Sequence, residues 1–376
     1  MGGAKQAKER HRAKDRHVSR REKLGRICRD MKLDAILVTD PVNVSYLTGF
    51  AGDSSYLFVS YKEALLLSDS RFTEQIEEEC PGLPYDLRKS GELHPAAVAR
   101  IVKEAKYAKL AFEAAATSVA NLEAWNSATK TAAFLPTTGL VEKLRAIKDP
   151  DEIISIQAAL KIADKAFAAL KGRLGADPTE RELANLLDAA MRNAGASCAA
   201  FPPIVAVGGR AAMAHAIPGD RRVSEDPLLL IDWGARGRFY NSDCTRMLYR
   251  GKPSAKFEKA FEIVLQANRK ATAGIRPGAK AAEVDALARN HITQSGYGKR
   301  FGHGLGHGLG MQVHEAPFFR PGGEHVLEAG MVVTVEPGIY LPGWGGIRIE
   351  DVVRVTDDGC ETLTALPRDL DSCRWD

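Results

Sequence analysis

The sequence predicts an α/β protein of two domains preceded by a short basic tail. Three observations carry this. The chain has 376 residues, enough for two domains of about 100–200 residues each. Apolar periodicity alternates between helix and strand from Val18 to about Leu140, as in an α/β unit. Beyond Pro150 the order is helix, helix, strands, and it then repeats, which predicts two similar halves packed as one domain. The expected boundaries are a tail over 1–17, a first domain over 18–143 and a second over 144–376.

The elements follow in order. Residues 1–17 are polar and basic without apolar periodicity, and are expected to form a disordered, solubilising tail. Arg20–Met31 predicts a helix with Leu24, Ile27, Cys28 and Met31 on one stripe. Ala35–Thr39 reads as a short apolar strand, and Tyr56–Ser60 with Ala64–Ser68 as a hairpin. Arg71–Cys80 reads as a helix stopped by Pro81 and Gly82. Lys109–Phe112 is another strand, with a helix near Ser118–Lys130. The charged segment Val141–Pro150 marks the domain boundary. Then a helix runs from Pro150 to about Leu170, with Ile153, Ile156, Leu160, Ala163 and Phe167 in register. A second begins at Thr179, where Glu182 completes a capping box, and ends at Gly195. Strands follow to about Arg250. The second round is Ser254–Ala273, a Pro277-Gly278 break, Ala281–Ser295 closed by Gly296, and strands.

Charge and composition exclude several partners. Net charge is +4, but residues 1–26 hold ten Lys or Arg against three acids, leaving the remainder at −3. No nucleic-acid partner is expected beyond a weak contact by the tail, which has no interleaved aromatics for base stacking. No apolar run approaches the ~18 residues of a membrane span, and no apolar h-region marks a secretory signal. The six cysteines are scattered without a CxxC pair, which fits reduced thiols in a cytoplasmic protein.

The chemistry lies in the second domain. Leu228–Trp233 and Phe239–Arg246 flank a Gly237-Arg238 turn; a two-residue II′ turn there would set Asp232 directly opposite Asp243 on one face. Two facing carboxylates after a buried apolar run need a shared proton or a cation. The alternative is a register shifted by one, with the acids in water. A second pair is Glu336, ending Met331–Glu336, and Glu350, ending the alternating Ile347–Glu350; an antiparallel return would bring them together, and read alone they are surface acids or ligands. Between the pairs, His303, His307 and His314 fall among alternating glycines, which let a backbone pass close to a crowded site. No P-loop, GxGxxG or HExxH pattern is present. Two Asp, two Glu and a His offer five ligands carrying four negative charges, which two divalent cations would neutralise. Carboxylate-rich ligation favours Mn²⁺ or similar ions over structural Zn²⁺. Paired metals can share a hydroxide and clamp a carbonyl, so the residues read as a binuclear metallohydrolase.

The order Asp232, Asp243, His307, Glu336, Glu350 resembles the ligand set of the "pita-bread" metallopeptidases, the family of aminopeptidase P, prolidase and methionine aminopeptidase. The contexts match too: Asp232-Trp-Gly-Ala, Ser242-Asp-Cys-Thr-Arg, Gly302-His-Gly-Leu-Gly-His, Val313-His-Glu-Ala-Pro, Val335-Glu-Pro-Gly-Ile-Tyr and Gly346-Ile-Arg-Ile-Glu-Asp. The likeness is close over residues 144–366. Residues 18–140 resemble the creatinase-type N-terminal domain through Asn43-Val-Ser-Tyr-Leu-Thr-Gly-Phe and Asp69-Ser-Arg-Phe. Methionine aminopeptidases lack that domain, so the Xaa-Pro branch is implied.

The resemblance implies roles. Asp232 chelates one of two divalent metals (manganese first, with cobalt or zinc as alternatives), Asp243 and Glu350 bridge both, and His307 binds one. Glu336 is both ligand and catalytic acid/base. His215, after Phe201-Pro-Pro-Ile-Val, and His314 contact substrate or support the tetrahedral intermediate. His303 lines the pocket, and Arg348 orients ligands or binds a substrate carboxylate. The expected function is an Xaa-Pro aminopeptidase acting on proline-containing peptides as a homodimer. The alternative is a prolidase restricted to dipeptides, and the remote one a non-catalytic binding module, against which all five ligands stand.

Overall fold

The computed structural model describes the backbone of residues 2–375 and the side chains of residues 16–375. The chain divides into two compact units, Met1–Arg145 and Ala146–Asp376.

The first unit is built on a six-stranded sheet in the order Tyr85–Leu87, Ala64–Ser68, Tyr56–Ser60, Ala35–Val38, Lys109–Glu113, Ala133–Thr137. Ala35–Val38 is fully buried, which suits a central strand covered on both faces. The helix Pro41–Thr48 and the strand Ala133–Thr137 carry too short or mixed a pattern to be read from sequence, whereas the helix His94–Glu104, with Ala97, Val98, Ile101 and Val102 on its buried stripe, is one the sequence reading missed. The first helix runs Gly2–Asp30 and so begins well before Arg20. Its Ala, Lys, Arg, Gln and Glu are strong helix formers and no proline interrupts them. The expected tail over 1–17 falls mainly on side chains outside the described residues. Part of the basic cluster is structural. Arg20 and Arg21 donate to the carbonyls of Tyr46 and Leu47 at 3.0 and 2.7 Å, closing the C-terminal end of Pro41–Thr48 with positive charge.

The second unit contains the expected repeat. Pro150–Lys171 and Glu180–Asn193 precede the sheet of Ile204–Val207, Leu228–Trp233 and Cys244–Arg250, which Arg374–Trp375 joins at its edge. Ala255–Ala273 and Ala281–Gln294 precede the sheet of Glu315–Phe319, Gly306–Gly308, Val332–Val335, Asp351–Val355 and Cys360–Thr362. Both N-terminal helices of the first half start in capping boxes, Asp149 with Glu152 and Thr179 with Glu182. Leu229, Ile231, Trp233 and Cys244 enter one apolar core, while Leu228, Leu230 and Met247 enter another. The strand is therefore sandwiched, which explains its unbroken apolar run. Trp233 stacks on Phe167 at 4.6 Å, and alternation puts Asp232 on the other face.

The hairpin turn differs from expectation. Gly237 N–H donates to Tyr240 O at 2.9 Å, so the tip is Arg238-Phe239, one residue later than the sequence suggests. Gly237 lacks the positive φ a II′ turn would need. Asn241 is instead tied to Gly310 and Met311 carbonyls, and Ser242 to Ala235. Asp232 consequently faces Thr245, with Asp243 diagonal to it. A turn slip of one moves each partner by two, so both carboxylates keep the same face. Among the described residues no helix is long and apolar enough to cross a membrane.

Candidate metal centre

Five strand segments deliver the acidic and imidazole side chains. Leu228–Trp233 brings Asp232, and the approach to Cys244–Arg250 brings Asp243. Val332–Val335 pairs with Asp351–Val355, and Gly338–Leu341 with Gly345–Arg348, in one continuous antiparallel register. That register sets Glu336 across from Glu350, as the expected antiparallel return requires. Ile347 and Ile349 enter the core, so Arg348 and Glu350 share the opposite face. His307 lies on Gly306–Gly308, opposite Phe318.

The nine residues singled out in the sequence, Asp232, Asp243, His307, Glu336, Glu350, His215, His303, His314 and Arg348, all line one cavity of about 630 Å³. Ligand atoms of Asp243, His307 and Glu350 lie within 4.8 Å of one another. His307 Nε2 is 3.2 Å from Glu336 Oε1 and 3.8 Å from Asp243 Oδ2. Its Nδ1 sits 3.1 Å from Gly308 O; a proton held there leaves Nε2 free to ligate. His314 stacks edge-on to His307 at 4.4 Å.

Arg348 is not free for a substrate carboxylate. Its guanidinium is 2.6 Å from Asp232 Oδ2, 3.0 Å from Thr245 Oγ1 and 2.8 Å from the Tyr340 hydroxyl. Of the two roles the resemblance implies for it, orienting a ligand is the one these contacts serve. His303 Nε2 is 2.9 Å from the same Tyr340 hydroxyl. Sequence reasoning missed three polar partners: Thr245, which donates to Glu350 Oε2 at 2.8 Å; Thr334, which donates to Glu336 Oε1 at 3.2 Å; and Tyr340. Alternation gave a signal for the first two, each two residues from an acid on its strand. Tyr340 had none. Two motif acids are structural: Glu315 pairs with buried Lys148 at 2.8 Å, and Asp351 with Arg246 at 2.8 Å.

The electrostatics are those of a site with too much negative charge. Burial, then neighbouring carboxylates, pushes Asp243 and Glu350 well above the usual carboxylate range. Burial also raises Asp232, against the opposing charge of Arg348. Burial works to raise Glu336 as well, but His307, His303 and Arg348 outweigh it and hold this carboxyl below its usual range. Asp232 Oδ1 and Glu350 Oε1 are buried with no hydrogen-bond partner among the described residues, a costly state for carboxylate oxygens. An oxygen-rich donor set with one imidazole and two orphaned oxygens fits divalent cations.

Gly306 shows why glycines crowd here. A Cβ at that position would collide with the Thr334 carbonyl oxygen. Gly306→Ala is expected to cost about 1–3 kcal/mol by overpacking and to weaken metal retention by displacing His307. Denaturant unfolding and metal analysis of the purified variant check both.

Comparison with known proteins gives the family. The model of metallopeptidase family M24 matches residues 155–357, and that of the creatinase/prolidase N-terminal domain matches residues 20–147. An Xaa-Pro dipeptidase structure from Bacillus anthracis superposes with a TM-score of 0.88 at 38% identity, over 94% of this chain and 99% of its own. An Xaa-Pro dipeptidase from Pyrococcus furiosus is 36% identical over 93% of this chain and 99% of its length. An X-Pro aminopeptidase structure from Thermotoga maritima superposes at a TM-score of 0.84 and 34% identity, over 92% and 97% of the two chains. The chain is therefore an enzyme of metallopeptidase family M24, with a creatinase-type N-terminal domain ahead of a pita-bread catalytic domain.

Proposed function

We propose that this metallopeptidase hydrolyses the bond between an N-terminal residue and a following proline, with Xaa-Pro dipeptides as its substrates. The carrying observation is the convergence of four carboxylates and His307 on one cavity, with Asp232 Oδ1 and Glu350 Oε1 unpartnered among the described residues. The sequence put the aminopeptidase reading first. Two relatives that are Xaa-Pro dipeptidases, at 36% and 38% identity over more than nine tenths of the chain, reverse that order. The Thermotoga neighbour keeps the aminopeptidase as the second reading.

Asp232, Asp243, His307, Glu336 and Glu350 would hold two divalent cations, manganese first. Bound there, such cations supply Lewis acidity and make a water nucleophilic near neutral pH. Glu336 accepts the proton of the attacking water and passes it to the departing proline nitrogen, which needs it to leave as an amine. His215 and His314 donate hydrogen bonds to the carbonyl oxygen as it gains charge. Tyr340 and Thr245 fix Arg348, which in turn fixes Asp232. Phe201, Pro202, Ile204 and Phe318 give the cavity an apolar wall suited to a proline ring.

The test is turnover of Ala-Pro against Ala-Pro-Ala, with and without Mn²⁺. Hydrolysis of the dipeptide alone is expected. Hydrolysis of both identifies the aminopeptidase, and hydrolysis of neither under any divalent metal sinks both.

A further inference from the structure

The segment that carries His215 is suspended from a carboxylate outside the cavity. Glu180, the first residue of Glu180–Asn193, is fully buried. Its Oε1 accepts from Val207 N at 2.8 Å, at the end of Ile204–Val207, and its Oε2 accepts from Gly219 N at 2.8 Å. One side chain thus closes both ends of residues 208–218. Arg210 stands inside that loop. Its Nε is 3.0 and 2.9 Å from the two Glu180 oxygens, and its Nη2 donates to the Ile217 carbonyl. Across the cavity rim, Arg348 Nη1 donates to Ala214 O at 3.3 Å. Between these anchors, Ala214, His215, Ala216, Ile217 and Pro218 line the cavity.

The backbone of the tip is held at Ala214 O and Ile217 O, and Ala216 is buried between them. Ile217 is 82% exposed. The His215 side chain makes no hydrogen bond among the described residues, so its place depends on the backbone on either side. A carboxylate accepting four charge-assisted or backbone hydrogen bonds is a rigid anchor, and catalytic groups displaced by about 1 Å can lose about 10²-fold in rate.

We propose that Glu180 is a positioning residue for this reaction: through Arg210 and the backbone of 208–218 it sets where His215 meets the substrate. This rests on the assignment of His215 to substrate contact made above. Glu180→Gln keeps the shape, removes the charge opposite Arg210 and puts a donor where two acceptors are needed.

The experiment is a double-mutant cycle on the full-length, metal-loaded enzyme, measured on Ala-Pro. Glu180→Gln is expected to lower kcat/KM by about tenfold with metal content unchanged. His215→Ala lowers it too. In the His215→Ala background, Glu180→Gln is expected to cost less than about twofold. Arg210→Lys, which keeps the cation but loses the planar fork, is expected to behave like a milder Glu180→Gln and serves if that variant does not fold. Additive losses would overturn the proposal and leave Glu180 a stabilising group only. If His215→Ala is as active as the wild type, the assignment of His215 falls and this inference with it. If His215→Ala is impaired and the losses add, only the role of Glu180 falls.

Discussion

Replacing Glu336 by Gln is expected to lower kcat on Xaa-Pro substrate by about 10²–10⁴-fold, the usual worth of a positioned acid/base, while the fold survives. The amide is nearly isosteric, and its oxygen still accepts from Thr334 Oγ1, which now sits 3.2 Å from Glu336 Oε1. What is lost is a basic oxygen able to carry a proton from water to the proline nitrogen. His307, also 3.2 Å from that oxygen, does not substitute, because it is assigned to a metal. Steady-state kinetics, circular dichroism and metal analysis on one preparation separate loss of chemistry from loss of structure. A variant within tenfold of wild type would remove Glu336 from its role.

The second large effect concerns the cations. Saturation with Mn²⁺ at a hundred times its dissociation constant should stabilise the protein by about 2.7 kcal/mol for each cation bound. For a catalytic unit of this size each such increment is a rise of about 5–10 °C in Tm. Asp243→Asn is expected to abolish that rise together with turnover. The metal-free variant should nonetheless melt no lower than metal-free wild type. Asp243 is buried beside Glu350, Asp232 and Glu336, and both burial and these neighbours disfavour its charge, so a neutral amide relieves an electrostatic cost. Calorimetry of both proteins with and without Mn²⁺ checks this. An unchanged metal-induced shift in the variant would exclude Asp243 as a ligand.

Much of the architecture was legible because burial follows local periodicity. The capping box at Thr179 and the stripe from Ile153 to Phe167 fix helices by themselves. The alternation Leu230, Ile231, Asp232, Trp233 fixes which side chain faces the site whatever the exact pairing. The turn showed the limit. Gly237 looked like the hairpin corner, but Asn241 is held by carbonyls of residues 310 and 311, contacts no local pattern contains. The short helix Pro41–Thr48 was likewise invisible. Its end is closed by guanidinium groups from a helix some twenty residues earlier, which charge counting had read as part of a basic cluster.

The sequence by itself determined which acids and imidazoles are candidate ligands, their order and the face each takes, because chemistry and two-residue alternation are properties of short segments. Tertiary structure alone decided what each charged group is for. Arg348 is spent on Asp232, Thr245 and Tyr340. Glu315 is spent on Lys148, and Asp351 on Arg246. Glu180 holds the His215 segment from outside the cavity. Each of these pairings, apart from Arg348 with Tyr340, joins residues separated by dozens of positions. A buried charge takes whichever partner the packed chain brings within hydrogen-bond reach, and that distance exists only once the sheets have closed.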